Sequence, residues 1–496
     1  MAGFRRAFLL ASAERYLVLI INLGVTVVIS RLLTPSEFGL SVIGAAALGI
    51  AEVVREFGVS AYLIQQRELT AAKIRSAFTV TLVLTVVAVA PLFLLAKPIA
   101  QFYGLPDLEF YLRLTCLSFC VGPFTAPVQA LLRRNMQFGT MAAIGVLTAL
   151  SHAITSVTLA SIGFSYMSFA WAGLVSAAVL LLLCVLSRPD LSIFRPSLKE
   201  WRCVVGFGAY DSGIAVLTRL WEYFPYLILG RILNAEAVGL YQRGWTVCKL
   251  ADRVLLAGVH SVALPAFSAE ARDGRSLKTA YLGGIEFTTV VLWPALLLLA
   301  LLAHPVVSIL LGSQWVQVAP LLQIMAIAQL SAFTTGLNYP TLVAVGAIRQ
   351  MLLLTIVQVG SSIAIISTAA FYGLYIVVLS LLFTLPFNIF LAICLVRRHV
   401  DFQWGELLAA MRKSTMVAAA SAIGPLLVVL AVGSMAAVSR PQAALAVLLS
   451  GAGWLAALWL TAHPLLREML HVRDALLKSA AMTQVLRTGR RILRQP

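Results

Sequence analysis

The residues of this chain best placed to do chemistry are charges set inside otherwise apolar runs. Glu14 and Arg15 stand in the first run, Glu52, Arg55 and Glu56 in the second, Asp211, Arg219 and Glu222 in the seventh, and Arg243, Lys249, Asp252 and Arg253 in the eighth. A Lys, Arg or Asp near the centre of a bilayer costs roughly 2.5–3.5 kcal/mol even on the lenient insertion scale, so such residues persist where they pair or face water. Asp211, Ala215, Arg219 and Glu222 recur at helical steps and share one face, as do Lys249, Arg253 and His260. Two readings fit this pattern. In one, the groups line a polar cavity where guanidinium forks hold phosphate oxygens. In the other they are internal ion pairs, Arg55 with Glu52 or Glu56, Arg219 with Glu222, and Asp252 with Lys249 or Arg253.

Aromatic residues interleave with these charges at Tyr16, Tyr210, Trp221, Tyr223, Tyr226, Tyr241 and Trp245. Rings can cover the apolar face of a sugar, whereas Tyr226 and Tyr241, near helix ends, also suit an interfacial belt. The candidate ligands for an anionic substrate are Arg15, Arg55, Arg219, Lys249 and Arg253, with Trp221 and Trp245 as stacking surfaces. The candidate ion-coupling acids are Glu52, Asp211, Glu222 and Asp252.

The elements that must position these groups are membrane helices. Hydrophobic residues make up 60% of the 496 residues and charged ones 11%, and the apolar runs repeatedly reach the roughly 20 residues that a crossing needs. The reading is an all-α polytopic membrane protein of about fourteen spans. They begin near Phe8, Phe38, Ala77, Glu109, Phe138, Phe164, Cys203, Ala237, Ala280, Val316, Met351, Leu374, Ser414 and Pro441. The first run carries Glu14 and Arg15 and has no small-residue cleavage site, so it is read as a retained helix.

An internal duplication organises the chain. The stretch RLLTPSEFGLSVIGAAALGIAEVVREFGVS from Arg31 recurs as RILNAEAVGLYQRGWTVCKLADRVLLAGVH from Arg231, matching Gly39 to Gly239, Gly44 to Gly244 and Gly58 to Gly258, with Glu52 facing Asp252. The expected organisation is a six-helix lobe over 1–202, a second over 203–400, a helix pair over 401–466 and a basic amphipathic tail over 467–496 on the inner membrane surface. The charged helices one, two, seven and eight are then the first pairs of the two repeats, and an axis normal to the membrane gathers them around one central space.

Lys and Arg crowd alternate loops, at Arg67, Lys73 and Arg75, at Arg133 and Arg134, at Arg188, Arg195, Lys199 and Arg202, and at Arg397, Arg398, Arg412 and Lys413. The positive-inside rule makes both termini cytoplasmic. The net charge of +17 follows from topology and an anionic leaflet rather than from nucleic-acid binding. The six cysteines are read as packing residues. Metal and cofactor sites are not expected, and no Gly-Lys phosphate loop is present for ATP hydrolysis.

The segments RLLTPSEFGL, RILNAEAVGLY, PAFSAEARDGRSLKTAY and HPVVSILLGSQWVQVAPLLQIMAIAQL resemble the polysaccharide-transporter branch of the multidrug, oligosaccharidyl-lipid and polysaccharide exporter superfamily, in order from Phe4 to about Val396. The resemblance implies a non-enzymatic flippase of the bacterial inner membrane. Its substrate would be an undecaprenyl-diphosphate-linked oligosaccharide, moved outward by alternating access for exopolysaccharide, capsule or O-antigen assembly. Membrane lipids are implied partners, as are a polysaccharide polymerase and a chain-length regulator. It also implies a final apolar helix pair near the lipid chain, and Ser414 to Pro464 is charge-free apart from Arg440. Members often carry an acid just before the Gly-Arg that ends helix seven. Here Phe224 and Pro225 occupy that region and Glu222 lies slightly earlier. A cation-coupled multidrug antiporter of the same superfamily is one alternative, disfavoured by the arginines. A membrane glycosyltransferase or polymerase is another, for which the short outside loops offer few acids.

Overall fold

Long apolar stretches without helix breakers satisfy their backbone groups internally, which is what hydrocarbon demands. A computed structural model describes residues 2–56, 59–66, 68–468 and 470 of the chain, with side chains left undescribed at 2–12, 53–54, 56, 60–61, 191, 203–215, 257–258 and 260–262. The tail expected over 467–496 lies almost wholly outside the described residues. Those residues divide into two units that interleave along the chain, 1–246 with 306–325 and 349–384, and 247–305 with 326–348 and 385–496.

The first unit begins with α1 (Ala2–Leu32), α2 (Pro35–Glu56), α3 (Val59–Gln65), α4 (Ala71–Leu94), α5 (Ala96–Tyr103), α6 (Asp107–Phe119), α7 (Gly122–Arg134), α8 (Phe138–Ser161), α9 (Met167–Ser187) and α10 (Trp201–Ile232). Within it α1 packs on α8, α8 on α9, and α2 on both α4 and α10. Thr70 caps α4 by accepting from the Lys73 N–H, and Gly104 ends α5 in the left-handed region at φ 66°. Inside α4, Thr81 and Thr85 donate back to the carbonyls one turn earlier, so neither hydroxyl is left unpaired in the apolar interior. The α6–α7 pair bends by 40°, and Pro123, which has no N–H to continue the ladder, starts the second half.

The chain continues as α11 (Ala235–Leu255), which runs from the first unit into the second, then α12 (Ala257–Arg272), α13 (Leu277–Leu301), α14 (Ala303–Leu310), α15 (Val318–Gln329), α16 (Thr335–Ala344), α17 (Ile348–Ala370), α18 (Leu374–Arg397), α19 (Trp404–Val432) and α20 (Arg440–Leu460). In the second unit α13 packs on α19, α19 on α20, and α12 on α16. Capping boxes at Gln403–Glu406 and Ser439–Gln442 start the last two helices. They pack around Val290, Val417, Ala457 and Leu458, and the Trp454 indole N–H donates to the Val290 carbonyl at 2.9 Å.

The protein is an all-helical, multi-pass membrane protein. Among the described residues ten helices are long and apolar enough to cross a membrane, or eleven with the bent α6–α7 pair taken as one span. The fourteen expected from the sequence are not reached by this measure. The charged helices α2, α10 and α11 are not among the ten.

Candidate translocation site

The duplicated halves meet at matched glycines. A Cβ on Gly39 would stand 1.6 Å from the Ala235 carbonyl oxygen, and one on Gly239 would stand 2.1 Å from the Pro35 oxygen. Only residues without side chains allow the two backbones to cross this closely. The first turns of α2 and α11, equivalent in the repeat, therefore pack against each other through equivalent positions.

Clamps flank the crossing within the first unit. Arg31, at the end of α1, donates to the Ile309 carbonyl at 2.9 Å. The Gln314 amide donates to Leu33 at 2.9 Å and, with the Trp315 indole N–H, to Ser30. On the other side Arg231 lies 4.7 Å over the Phe102 ring, and the Tyr103 hydroxyl donates to the Leu227 carbonyl at 3.2 Å. Each repeat thus grips the loop helix of the other.

Further along α2 and α10, charges from both repeats converge. A Cβ on Gly49 would meet the Tyr223 ring at 2.2 Å, so its absence seats Tyr223 against α2. Glu52 and Arg55 follow on α2, and Arg219 and Glu222 flank Tyr223 on α10. Arg219 Nη1 lies 3.0 Å from Glu222 Oε2 and Arg55 Nη2 lies 3.4 Å from Glu52 Oε1. The Arg55 guanidinium stacks 5.2 Å from the centre of Phe119 and fills the notch at Gly122, where a Cβ would stand 2.1 Å from Nη1. These are two of the ion pairs that the spacing allowed. The Arg219 and Glu222 side chains are 45% and 37% exposed, whereas Arg55 is 17% exposed, so the accessible guanidinium edge of Arg219 can exchange its carboxylate for another anion.

The other candidates are placed as follows. Arg15 is exposed on α1, and Trp221 is 38% exposed. Trp245 stacks edge-on against Tyr241 at 6.3 Å, and Tyr241 against Tyr226 at 6.0 Å. Lys249 and Asp252 are half-buried and Arg253 is exposed on the part of α11 that belongs to the second unit. The Asp211 side chain lies outside the described residues. Among the described residues no three metal-type ligands gather.

Two groupings were not anticipated. Arg243, 4% exposed, has its guanidinium carbon 3.7 Å from the Phe38 ring centre and 5.5 Å from that of Trp315. Its charge was visible in the sequence, but no spacing rule joins it to Phe38 and Trp315. In the second unit, buried His463 has Nε2 3.3 Å from Ser414 Oγ and 3.6 Å from Glu286 Oε1, while its Nδ1 accepts from the Leu465 N–H at 3.2 Å. Burial, aided by the Lys413 ammonium, pushes His463 down to about 4. The Leu465 bond places the neutral ring's proton on Nε2, toward Ser414. Ser414 in turn donates to the Glu286 carbonyl.

A family model described as "Polysaccharide biosynthesis protein" matches residues 28–320, more than half of the chain. The chain belongs to that family. Its membership is that of the polysaccharide-transporter branch whose motifs the sequence carries. Relatives include "Lipopolysaccharide biosynthesis protein WzxC" of Escherichia coli (strain K12), 25% identical over 63% of this chain and 64% of the relative. "Succinoglycan biosynthesis transport protein ExoT" of Rhizobium meliloti (strain 1021) is 26% identical over 65% of each. The matched region thus spans just under two thirds of these relatives. Among solved structures, "Lipid II flippase MurJ, inward closed conformation" superposes with a TM-score of 0.73 at 12% identity, covering 93% of this chain and 100% of that one. The family member shares that fold.

Proposed function

We propose that the protein is a flippase that carries a lipid-diphosphate-linked oligosaccharide across the bacterial inner membrane by alternating access. It is read as a transporter, not an enzyme, with both termini cytoplasmic. The observation that carries this reading is the charged cluster of Glu52, Arg55, Arg219 and Glu222, built from both repeats. A half-exposed arginine such as Arg219, paired with a carboxylate, binds a diphosphate by exchanging partners, and its planar guanidinium suits that geometry. The names of the relatives, from lipopolysaccharide and succinoglycan biosynthesis, support the substrate class. Arg15, Lys249 and Arg253 join the substrate ligands on the strength of the repeat, with Trp221 and Trp245 as sugar-facing rings. Glu52, Asp211, Glu222 and Asp252 are the acids assigned to ion coupling. The glycan is passed on to polymerising and length-setting partners outside.

The double variant Arg219→Ala, Arg253→Ala tests the reading. It should insert normally yet lose at least about tenfold in glycan export, whereas Arg397→Ala should not. Full export by the double variant removes the anionic substrate. Orientation is tested separately: a cysteine at Ser313 should react with an impermeant thiol reagent on spheroplasts and one at Ser197 should not.

A further inference from the structure

Arg243 stands apart from every other arginine of the first unit whose contacts have been given. It is almost fully buried and its Nε has no hydrogen-bond partner. Arg31 and Arg231 rest on a carbonyl and on a ring at the surface, and Arg55 and Arg219 have carboxylates. Among the described residues, the contacts of the Arg243 guanidinium are with the rings of Phe38 and Trp315.

Aromatic faces satisfy the plane of a guanidinium but not its edge, where the N–H donors point. A buried guanidinium whose Nε edge is unsatisfied is a costly group, tolerated only where the rest of the structure holds it there. What holds it is the clamp around it. Phe38 sits beside the Gly39 crossing, and Trp315 is tied to the Ser30 carbonyl. Parting α1 from the 309–315 segment removes Trp315 from the guanidinium and gives its edge to solvent. An oxyanion bearing two or more oxygens is the ligand that a bare guanidinium edge fits best.

We propose that Arg243 is a masked oxyanion site: the closed clamp stores its guanidinium between Phe38 and Trp315, and the open clamp presents it to a diphosphate. A ligand that binds one arrangement only shifts the population toward it, so the arriving anion draws the clamp open. The choice of diphosphate as the natural anion rests on the function proposed above. The masking itself does not.

The test uses the full chain in detergent with its native cysteines replaced and a single cysteine at Ser30. That residue is fully buried and its hydroxyl makes no hydrogen bond, so Ser30→Cys is a mild change. The readout is the rate of reaction with a maleimide, with and without millimolar inorganic pyrophosphate. Pyrophosphate should speed labelling at least about threefold with Arg243 present and not at all with Arg243→Met, with Arg243→Lys between them. Arg243→Met should also label more slowly than the parent without any anion, since the clamp then encloses no charge. Arg243→Gln replaces it where the Met variant does not accumulate. Equal acceleration in the Met or Gln variant, or none with Arg243 present, overturns the proposal. Loss of the lipid-diphosphate reading would instead show as full export by the Arg219, Arg253 double variant, with the labelling result unaffected.

Discussion

The two sides of the glycine crossing are built on matching backbones from unlike side chains. On one side Ile43 fills the notch at Gly230, where a Cβ would stand 2.7 Å from its Cδ1, and Tyr103 donates to Leu227. On the other side the repeat places Arg243 where Ile43 was and Ser30 where Gly230 was, and Trp315 takes the Ser30 carbonyl. The first side is close-packed by Ile43 and Tyr103. The second encloses a charge and relies on hydrogen bonds to carbonyls at the end of α1. Duplication therefore preserved the crossing while the side chains around it diverged.

The sharpest way to break the comparison is to strike what both sides share. Gly39→Val and Gly239→Val each drive a side chain into a backbone oxygen that cannot rotate away. Each should exceed the usual overpacking cost of about 1–3 kcal/mol and prevent accumulation of folded protein in the membrane. Gly24→Ala, with open space around it, should accumulate normally. If Gly39→Val and Gly239→Val differ widely, the crossing is not shared.

Trp315→Ala attacks the charged side alone. It removes a fully buried ring and the bond to Ser30, and should cost about 3–5 kcal/mol in the detergent melting transition. If Arg243 is the burden that Trp315 conceals, Arg243→Met in that background should recover part of the loss. No recovery would place both residues in ordinary core packing.

A pH scan then separates the crossing from the seam between α13 and α19. His463 titrates near 4 in the fold against 6.5 as a free side chain. A base whose value is lowered on folding binds protons first in the unfolded chain. Its contribution is therefore complete above pH 6.5 and is lost as the pH falls toward 4, by at most about 3 kcal/mol. The thermal melt should fall across that window, and His463→Gln should flatten the curve while Trp315→Ala keeps it. A slope that survives His463→Gln assigns the acid sensitivity to other groups. The smallest effect is expected on the Ile43 side, where Tyr103→Phe loses one hydroxyl bond and should cost about 1 kcal/mol by the same melt.

Much of this architecture was legible as pattern. The helical class follows from apolar length, and the repeat matches Gly39 to Gly239 as equivalent positions, although their contact emerged only in the structure. The spacing of Arg219 and Glu222 anticipated their ion pair, and that of Glu52 and Arg55 theirs. What could not be read were contacts between residues of unlike type far apart in sequence. Arg243 was one charge among several on its helix until Phe38 and Trp315 closed over it, and nothing local links Glu286 to His463. Periodicity reports which face a residue takes and is silent on what the facing element brings.

The glycine crossing also limits how such a chain can change over generations. A duplicated segment ordinarily frees one copy to drift while the other keeps the original role. Where the two copies touch at their own matching positions, a side chain gained by either one strikes the other's backbone, so neither copy holds a spare. Residues 39 and 239 are in effect a single site written twice, while the halves diverge at the positions around them, from Phe38 and Val238 to Ile43 and Arg243.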